Sequence, residues 1–380
     1  MSASREQVFS NARLVLADEE VSGTVLVRDG LIADISEGSA DGEDFGGDYL
    51  IPGLIELHTD HLENHYAPRP GVVWNPIAAV QAHDAQVASS GITTVLDALR
   101  LGTDEQTDVD HADMRHLADA IEQAMADDRL RADHFIHLRC EVSSPDCLEG
   151  LELFKGDPRV RLASLMDHAP GQRQFASLAE YAKYYQGKLK MPDDVFRAFC
   201  ERRIAESQAN APRNRAAIAE IAKERGIVLA SHDDATEGHV AEAVEQGISV
   251  AEFPTTLEAA RASHEAGLAV LMGAPNIVRN GSHSGNVSAR ELAEAGYLDI
   301  LSSDYVPFSL MQAVFSLNDK VEAIKLPEAI SLVTSRPAAA AGFDDRGEIA
   351  IGKRADLVRV RLHEGVPIVR AVYRQGQRVI

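Results

Sequence analysis

Apolar and polar positions along this chain follow two different rhythms, one at the ends and one in the middle. Near the N-terminus, Gly23 to Ile35 (GTVLVRDGLIADI) holds two alternating apolar runs joined by Asp29-Gly30, a pair suited to the tight turn of a β-hairpin. The C-terminus repeats the pattern: Ala355 to Val360 and Val366 to Tyr373 are strand-like, with Glu364-Gly365 between them. Two β-rich ends around a different middle predict one small sandwich built from residues 1–50 and 345–380, flanking a second domain over 51–344.

In that middle, helical stretches end at a glycine and an apolar run begins at once. Gly91-ITTVLD, Gly226-IVLASH, Gly247-ISVAEF, Gly267-LAVLMG and Gly296-YLDILSSD all read this way. Glycine suits the left-handed position that closes a helix. Asn75-Pro76 has the form of a cap and first helical residue, and Ser288 with Glu291 has capping-box spacing. Met114, Leu117, Ala118, Ile121 and Met125 recur at helical spacing and are expected in the core. The strands expected are Leu54–Asp60, Ile92–Asp97, Phe135–Val142, Val160–His168, Ile227–His232, Ile248–Phe253, Leu268–Met272 and Leu298–Asp304. Eight strands alternating with helices predict an α/β fold, a (β/α)8 TIM-type barrel, with a doubly wound sheet as the alternative. Ala169 to Pro192, with Tyr181, Tyr184 and Tyr185, reads as an insertion after the fourth strand.

Composition narrows the partners. With 59 acidic and 37 basic residues the formal net charge is −22, which argues against nucleic acid or an anionic membrane but not against a small anionic substrate. No stretch approaches the ~20 apolar residues that span a bilayer, and the N-terminus lacks the pattern of a signal peptide. Three cysteines without CxxC spacing point to a reduced, cytoplasmic setting.

Chemistry collects at the C-terminal ends of the expected strands, where barrels of this kind carry their working residues. If Leu54 to Asp60 is a strand, Glu56, His58 and Asp60 share one face, and Ile55, Leu57 and Thr59 pack on the other. In the third strand His137, Arg139 and Glu141 alternate with Ile136, Leu138, Cys140 and Val142, which places the ionisable set inside the barrel. Burying such a set is costly unless it is paired or metal-bound. His58, Asp60, Glu141, His168, His232 and Asp304 together suit one or two divalent ions, Zn²⁺ first and Mn²⁺ second. Glu141 is the candidate to bridge two ions. Asp304 is the candidate to orient a water and accept its proton. Asp97 and Glu252 also stand at strand ends. His83, His111, His116, His239 and His264 fall on expected helices and read as surface or interhelical residues, while His61 and His65 follow the first strand as loop or substrate-contacting residues.

The segments VLVRDGLIADI leading to IPGLIELH, and the closing TSRPAAAAGFDDRGEIAIGKRADLV, resemble the amidohydrolase superfamily. LIELHTDHLENHYAPRPGV, HLRCEV, LMDHAPGQRQF, ASHDDAT, MGAPNIVRNGSHSGN and LSSDYVP are similar, more narrowly, to its phosphonate-utilisation diphosphatases. The resemblance covers nearly the whole chain. It implies a barrel plus sandwich, a divalent metal, a homodimer, and cleavage of a ribose phosphonate triphosphate between its α and β phosphorus atoms, in carbon–phosphorus lyase metabolism. Two departures stand out: the superfamily's usual first-strand HxH is His58-Thr59-Asp60, and its bridging carboxylated lysine has no counterpart. The ligand histidines also fall on the fourth and fifth strands, whereas the superfamily pair usually falls on the fifth and sixth. A triphosphate calls for arginine forks and backbone amides. Arg139, Arg173, Asn276 and Arg279 are the candidates, with an anion nest expected around Gly281 and Gly285; Arg69 and Arg100 rank lower. The competing readings are hydrolysis of a C–N bond on the same barrel, which predicts a smaller, mostly neutral pocket, and a scaffold without chemistry.

Overall fold

The computed structural model describes residues 6–102, 109–173, 181–182, 191–282 and 285–380. Its strands are β1 Glu6–Val15, β2 Glu20–Arg28, β3 Leu31–Glu37, β4 Glu43–Asp44, β5 Tyr49–Pro52, β6 Leu54–Thr59, β7 Ile92–Leu101, β8 Asp133–Glu141, β9 Val160–Met166, β10 Val228–His232, β11 Val250–Glu252, β12 Ala269–Gly273, β13 Ile300–Ser302, β14 Leu357–His363, β15 Val366–Arg374 and β16 Gln377–Arg378. They form two sheets of eight strands each.

The first sheet runs β16-β15-β14-β5-β1-β2-β3, with β4 beside β1, so strands from both chain ends interleave in one layer. The expected hairpins are present. Arg28 pairs with Leu31 across Asp29 and Gly30, and His363 pairs with Val366 across Glu364 and Gly365. Both turn residues of each hairpin have positive φ, the type I′ geometry whose twist matches the strands it joins. Phe9, Phe45 and Tyr373 pack ring against ring in this sheet's own apolar cluster.

The second sheet is parallel and runs in chain order from β6 to β13. All eight strands expected in the barrel are there, and among the described residues they neighbour one another in chain order. Its two edges meet through Asp304, whose N–H donates to His58 O and whose carbonyl accepts from Asp60 N, each at 3.1 Å. Closure therefore occurs at the very residues proposed for chemistry. The interior is filled by Ile55, Leu57, Leu96, Leu162, Ala230, Val250, Leu271 and Ile300. Ile136, Leu138, Cys140 and Val142 instead pack in the outer cluster with the surrounding helices, as the alternation of β8 predicts.

Strict alternation does not hold for β6. Its register against β7 slips twice, and Ile55 and Leu57 join the interior cluster instead of lying opposite Glu56 and His58. Helix ends follow the sequence closely: Asn75 accepts from Ala78 N, and Ser288 and Glu291 complete a capping box. Met114, Leu117, Ala118 and Ile121 are buried, while Met125 is 40% exposed and outside the core. The three cysteines are free and buried. Tyr181 packs against Phe196 and Phe199, but most of the expected insertion, including Tyr184 and Tyr185, lies outside the described residues. Among the described residues, no helix is long and apolar enough to cross a membrane.

Candidate metal centre

Two triads of ligand-type side chains stand at the C-terminal rim of the barrel. His58, Asp60 and Asp304 form one; His168, His232 and Asp233 form the other. They adjoin, since the His58 and His232 rings are 5.6 Å apart and the His232 and His168 rings likewise 5.6 Å. The supporting strands are β6, β10 and the segments that follow β9, β10 and β13. Sequence position alone explains most of this convergence: each residue ends or just follows a parallel strand of one closed barrel.

Glu252, at the end of β11, joins the triads from beneath. Its Oε1 lies 3.1 Å from His58 Nδ1 and its Oε2 3.1 Å from His232 Nδ1, while Ser164 Oγ donates to Oε2 at 2.7 Å. One buried carboxylate thus fixes two imidazoles and leaves Nε2 of each facing the carboxylates of the rim. His58 Nε2 is 3.7 Å from Asp60 Oδ1, and His232 Nε2 is 3.5 Å from Asp233 Oδ2. His168 is held the same way by Glu141, whose Oε2 lies 2.6 Å from its Nδ1, with Nε2 3.9 Å from Asp233 Oδ2. Carboxylates behind ligating histidines are the usual means of fixing tautomer and ring orientation.

Electrostatics favours a cation here. Five carboxylates converge (Asp60, Glu141, Asp233, Glu252 and Asp304), and among the described residues the arginines that pair with them are Arg139, whose Nη1 is 2.5 Å from Asp60 Oδ1, and Arg203, 3.8 Å from Glu141. Burial alone would lower the His58 pKa, but Glu252 and then Asp60 outweigh it and raise it to about 9. The same field that holds a proton on Nε2 would hold a metal ion there instead. Burial, reinforced by the Asp60 charge, pushes Asp304 up to about 6. Burial would raise Glu141 too, yet His168 and Arg203 bring it down to about 2. Asp233 Oδ2 is buried without a hydrogen-bond partner, whereas Asp60 Oδ1 is met by the Arg139 guanidinium. An orphaned carboxylate oxygen facing the Nε2 atoms of His168 and His232 is what a divalent cation would satisfy, so the donor set fits the ion expected from sequence.

The backbone is bent to make this arrangement. Asp233, Phe253 and Asp304, which follow β10, β11 and β13, all have positive φ, at 58°, 52° and 56°. Such conformations are uncommon for non-glycine residues and persist where surrounding bonds over-determine them. Asp304 is pinned by both closure bonds, and Asp233 N donates to Glu252 O at 2.9 Å. Beneath them, Glu56 accepts from His58 N at 2.7 Å and from Ser303 N at 2.6 Å, tying β6 to the strand end opposite.

Of the expected site residues, His58, Asp60, His168, His232 and Asp304 are brought together as ligand-type groups. Glu141 is placed behind His168 and accepts also from Ser143 Oγ, so its oxygens are engaged by this chain rather than directed between the triads. Arg139 enters the cluster through Asp60. Arg173 does not: it is buried, and its guanidinium is committed to Asp234 and Glu242. Asn276 accepts from Ala289 N, and Arg279 is exposed with Nη1 3.5 Å from the hydroxyl of Tyr305, the residue after Asp304. The proposed nest lies partly outside the described residues, at 283–284. Asp97 is not at the rim, because β7 continues to Leu101 and the carboxylate pairs instead with His83 and His134, each at 2.8 Å. His83 is therefore a fully buried residue rather than a surface one.

Sequence reasoning missed Asp233, the roles of Glu252 and Ser164, and Arg203. Asp233 follows His232 directly, and period-two alternation would point it away; its positive φ turns it back. Arg203 comes from the helix Asp193–Arg225, and nothing in its local sequence marks it.

A barrel closed at a carboxylate–imidazole rim defines the class, and the Amidohydrolase family model matches residues 49–379: the chain belongs to that family. It is 46% identical over 379 residues to the alpha-D-ribose 1-methylphosphonate 5-triphosphate diphosphatase of Escherichia coli K12, covering 98% of this chain and 100% of that one. An imidazolonepropionase of Anaeromyxobacter is 29% identical over 350 residues, 86% of this chain and 79% of the other. In three dimensions the chain is similar to the N-acetyl-D-glucosamine-6-phosphate deacetylase of Mycobacterium smegmatis, with a TM-score of 0.65 over 99% of both chains at 16% identity, a likeness of fold.

Proposed function

We propose that this chain is a metal-dependent hydrolase that cleaves the α–β phosphoanhydride of α-D-ribose 1-methylphosphonate 5-triphosphate, giving the 5-phosphate and pyrophosphate. The observation that carries this reading is the 46% identity with the Escherichia coli diphosphatase over the full length of both chains. At the site, His58, Asp60, His168, His232, Asp233 and Asp304 would hold one or two divalent ions, Zn²⁺ before Mn²⁺ on a donor set of three imidazoles and three carboxylates. Bound there, the ion supplies positive charge that stabilises phosphoryl oxygens and makes water more acidic.

The chain's own groups do the rest. Asp304 accepts the proton of the attacking water as the bridging P–O bond breaks and pyrophosphate leaves; its buried, like-charged surroundings make it a better base than an exposed aspartate. Glu252 and Glu141 hold the three imidazoles in one orientation throughout. Arg139 sets positive charge inside the rim, and Arg279, beside Tyr305, offers a guanidinium at its edge for the outer phosphates. The protein acts as a cytoplasmic homodimer in this reading, which light scattering checks.

The test compares turnover of the ribose triphosphate with that of N-acetylated sugars and cyclic amides on the metal-loaded enzyme. Turnover of the triphosphate at least a hundredfold above the amides is expected; the reverse order would assign the chain to C–N hydrolysis.

A further inference from the structure

A third group of imidazoles lies away from the two triads. His61 and His65 stand one turn apart on the short helix His61–Tyr66, and His83 faces them from the helix Pro76–Ser89. One nitrogen from each lies within 4.8 Å of the others. The ring centroids of His61 and His65 are 5.0 Å apart, and His83 is 6.2 and 6.0 Å from the two.

The Nε2 atom of every member is already engaged. Gln86, one turn after His83, places Oε1 3.2 Å from His65 Nε2 and its amide nitrogen 3.2 Å from His61 Nε2. Asp97 Oδ1 is 2.8 Å from His83 Nε2. Nδ1 is the nitrogen left to each ring. Those of His61 and His83 are buried and have no hydrogen-bond partner, and the His83 side chain is 0% exposed. A buried imidazole nitrogen without a partner costs about 1–3 kcal/mol. Two such atoms in one three-histidine cluster, none of it needed by the rim, call for a common ligand.

We propose that His61, His65 and His83 form a second, independent site for a borderline divalent cation of the Zn²⁺ type, bound through imidazole nitrogen. Three neutral nitrogens and no carboxylate among the ligands favour such ions over Mg²⁺ or Ca²⁺, which take oxygen. Asp97 is the group behind His83 that fixes its ring, the arrangement usual for ligating histidines. Because Asp60 immediately precedes His61, the ion would fasten the helix leaving the rim to the helix that leads into β7. Its role is to hold that corner of the site, and it takes no part in hydrolysis.

The test is a metal count. Full-length protein is stripped with chelator, loaded with excess Zn²⁺, desalted and measured by plasma mass spectrometry beside His65→Gln and His83→Gln, with circular dichroism confirming folding. His65 is partly exposed, so its replacement is the variant expected to fold without difficulty. Each variant should carry one equivalent of zinc per chain fewer than the parent. His232→Gln, which disturbs the rim, should keep the equivalent that His65→Gln removes. An unchanged count in folded His65→Gln would overturn the proposal, as would loss of all zinc on that substitution or from His232→Gln.

Discussion

Glu252 has no contact with solvent, yet two of the rim histidines depend on it. Burial would raise its pKa, but His58 and His137 draw it well below the ordinary glutamate value, so it stays an anion with two imidazoles to orient. Glu252→Gln keeps the shape and replaces one acceptor oxygen with a donor, which forces one ring out of register. About 10- to 100-fold weaker metal binding is expected, read by titration with a chelating dye. Unchanged affinity would mean that packing alone orients His58 and His232. Asp304 belongs to the same scale. With a pKa raised to about 6 it carries a proton below that pH and can accept one above it. The rate should therefore fall as pH drops through about 6, or somewhat lower with a cation alongside. Asp304→Asn should keep its metal, lose about 10²–10⁴-fold in kcat and lose this acid limb. Loss of metal with the same substitution would identify Asp304 as a ligand above all.

Between elements, the contact of β7 and β8 with the helix Pro76–Ser89 rests on a buried charged chain. His134 lies between Asp97 and Asp84, which also binds Arg131. Burial opposes charging His134, but the two carboxylates raise it to about 10, and His134 with His83 overcomes burial to lower Asp97 to about 2. A histidine raised from 6.5 stabilises the fold fully below that pH and loses the contribution as pH climbs through 10. The lowered aspartate contributes above 3.8 and loses its share as pH falls through 2. His134→Gln should cost about 3–5 kcal/mol in urea unfolding near neutral pH and flatten the decline in stability between pH 7 and 10. Equal stability of parent and variant would mean the chain is no more than a neutral spacer.

Elements were far easier to foresee than such chains. Strand count and order follow from the repeated glycine-then-apolar pattern, and Asp29-Gly30 announces its hairpin. What alternation could not supply is where a strand breaks its own rule. The register slips in β6, the run of β7 past Asp97, and the left-handed turns at Asp233 and Asp304 are set by barrel closure and by hydrogen bonds from distant strands. The same limit explains Arg173, whose position after His168 suggested substrate while its partners, Asp234 and Glu242, lie 61 and 69 residues away.

At the scale of the whole molecule, a chain of net charge −22 is proposed to take a strongly anionic substrate. The conflict is local to the surface, because the rim's carboxylates are proposed to hold cations, with Arg139 paired to Asp60 inside the rim and Arg279 beside Tyr305. Long-range repulsion should slow capture at low ionic strength, so moderate salt is expected to raise kcat/KM before screening the arginine contacts lowers it. A monotonic fall from the lowest salt would mean that the field at the rim is already positive. The central claim, cleavage between the α and β phosphorus atoms, is tested most directly by phosphorus NMR of the metal-loaded enzyme acting on α-D-ribose 1-methylphosphonate 5-triphosphate. Pyrophosphate and the 5-phosphate should appear together in equal amounts from the first turnover; orthophosphate with a 5-diphosphate as the first products would contradict it.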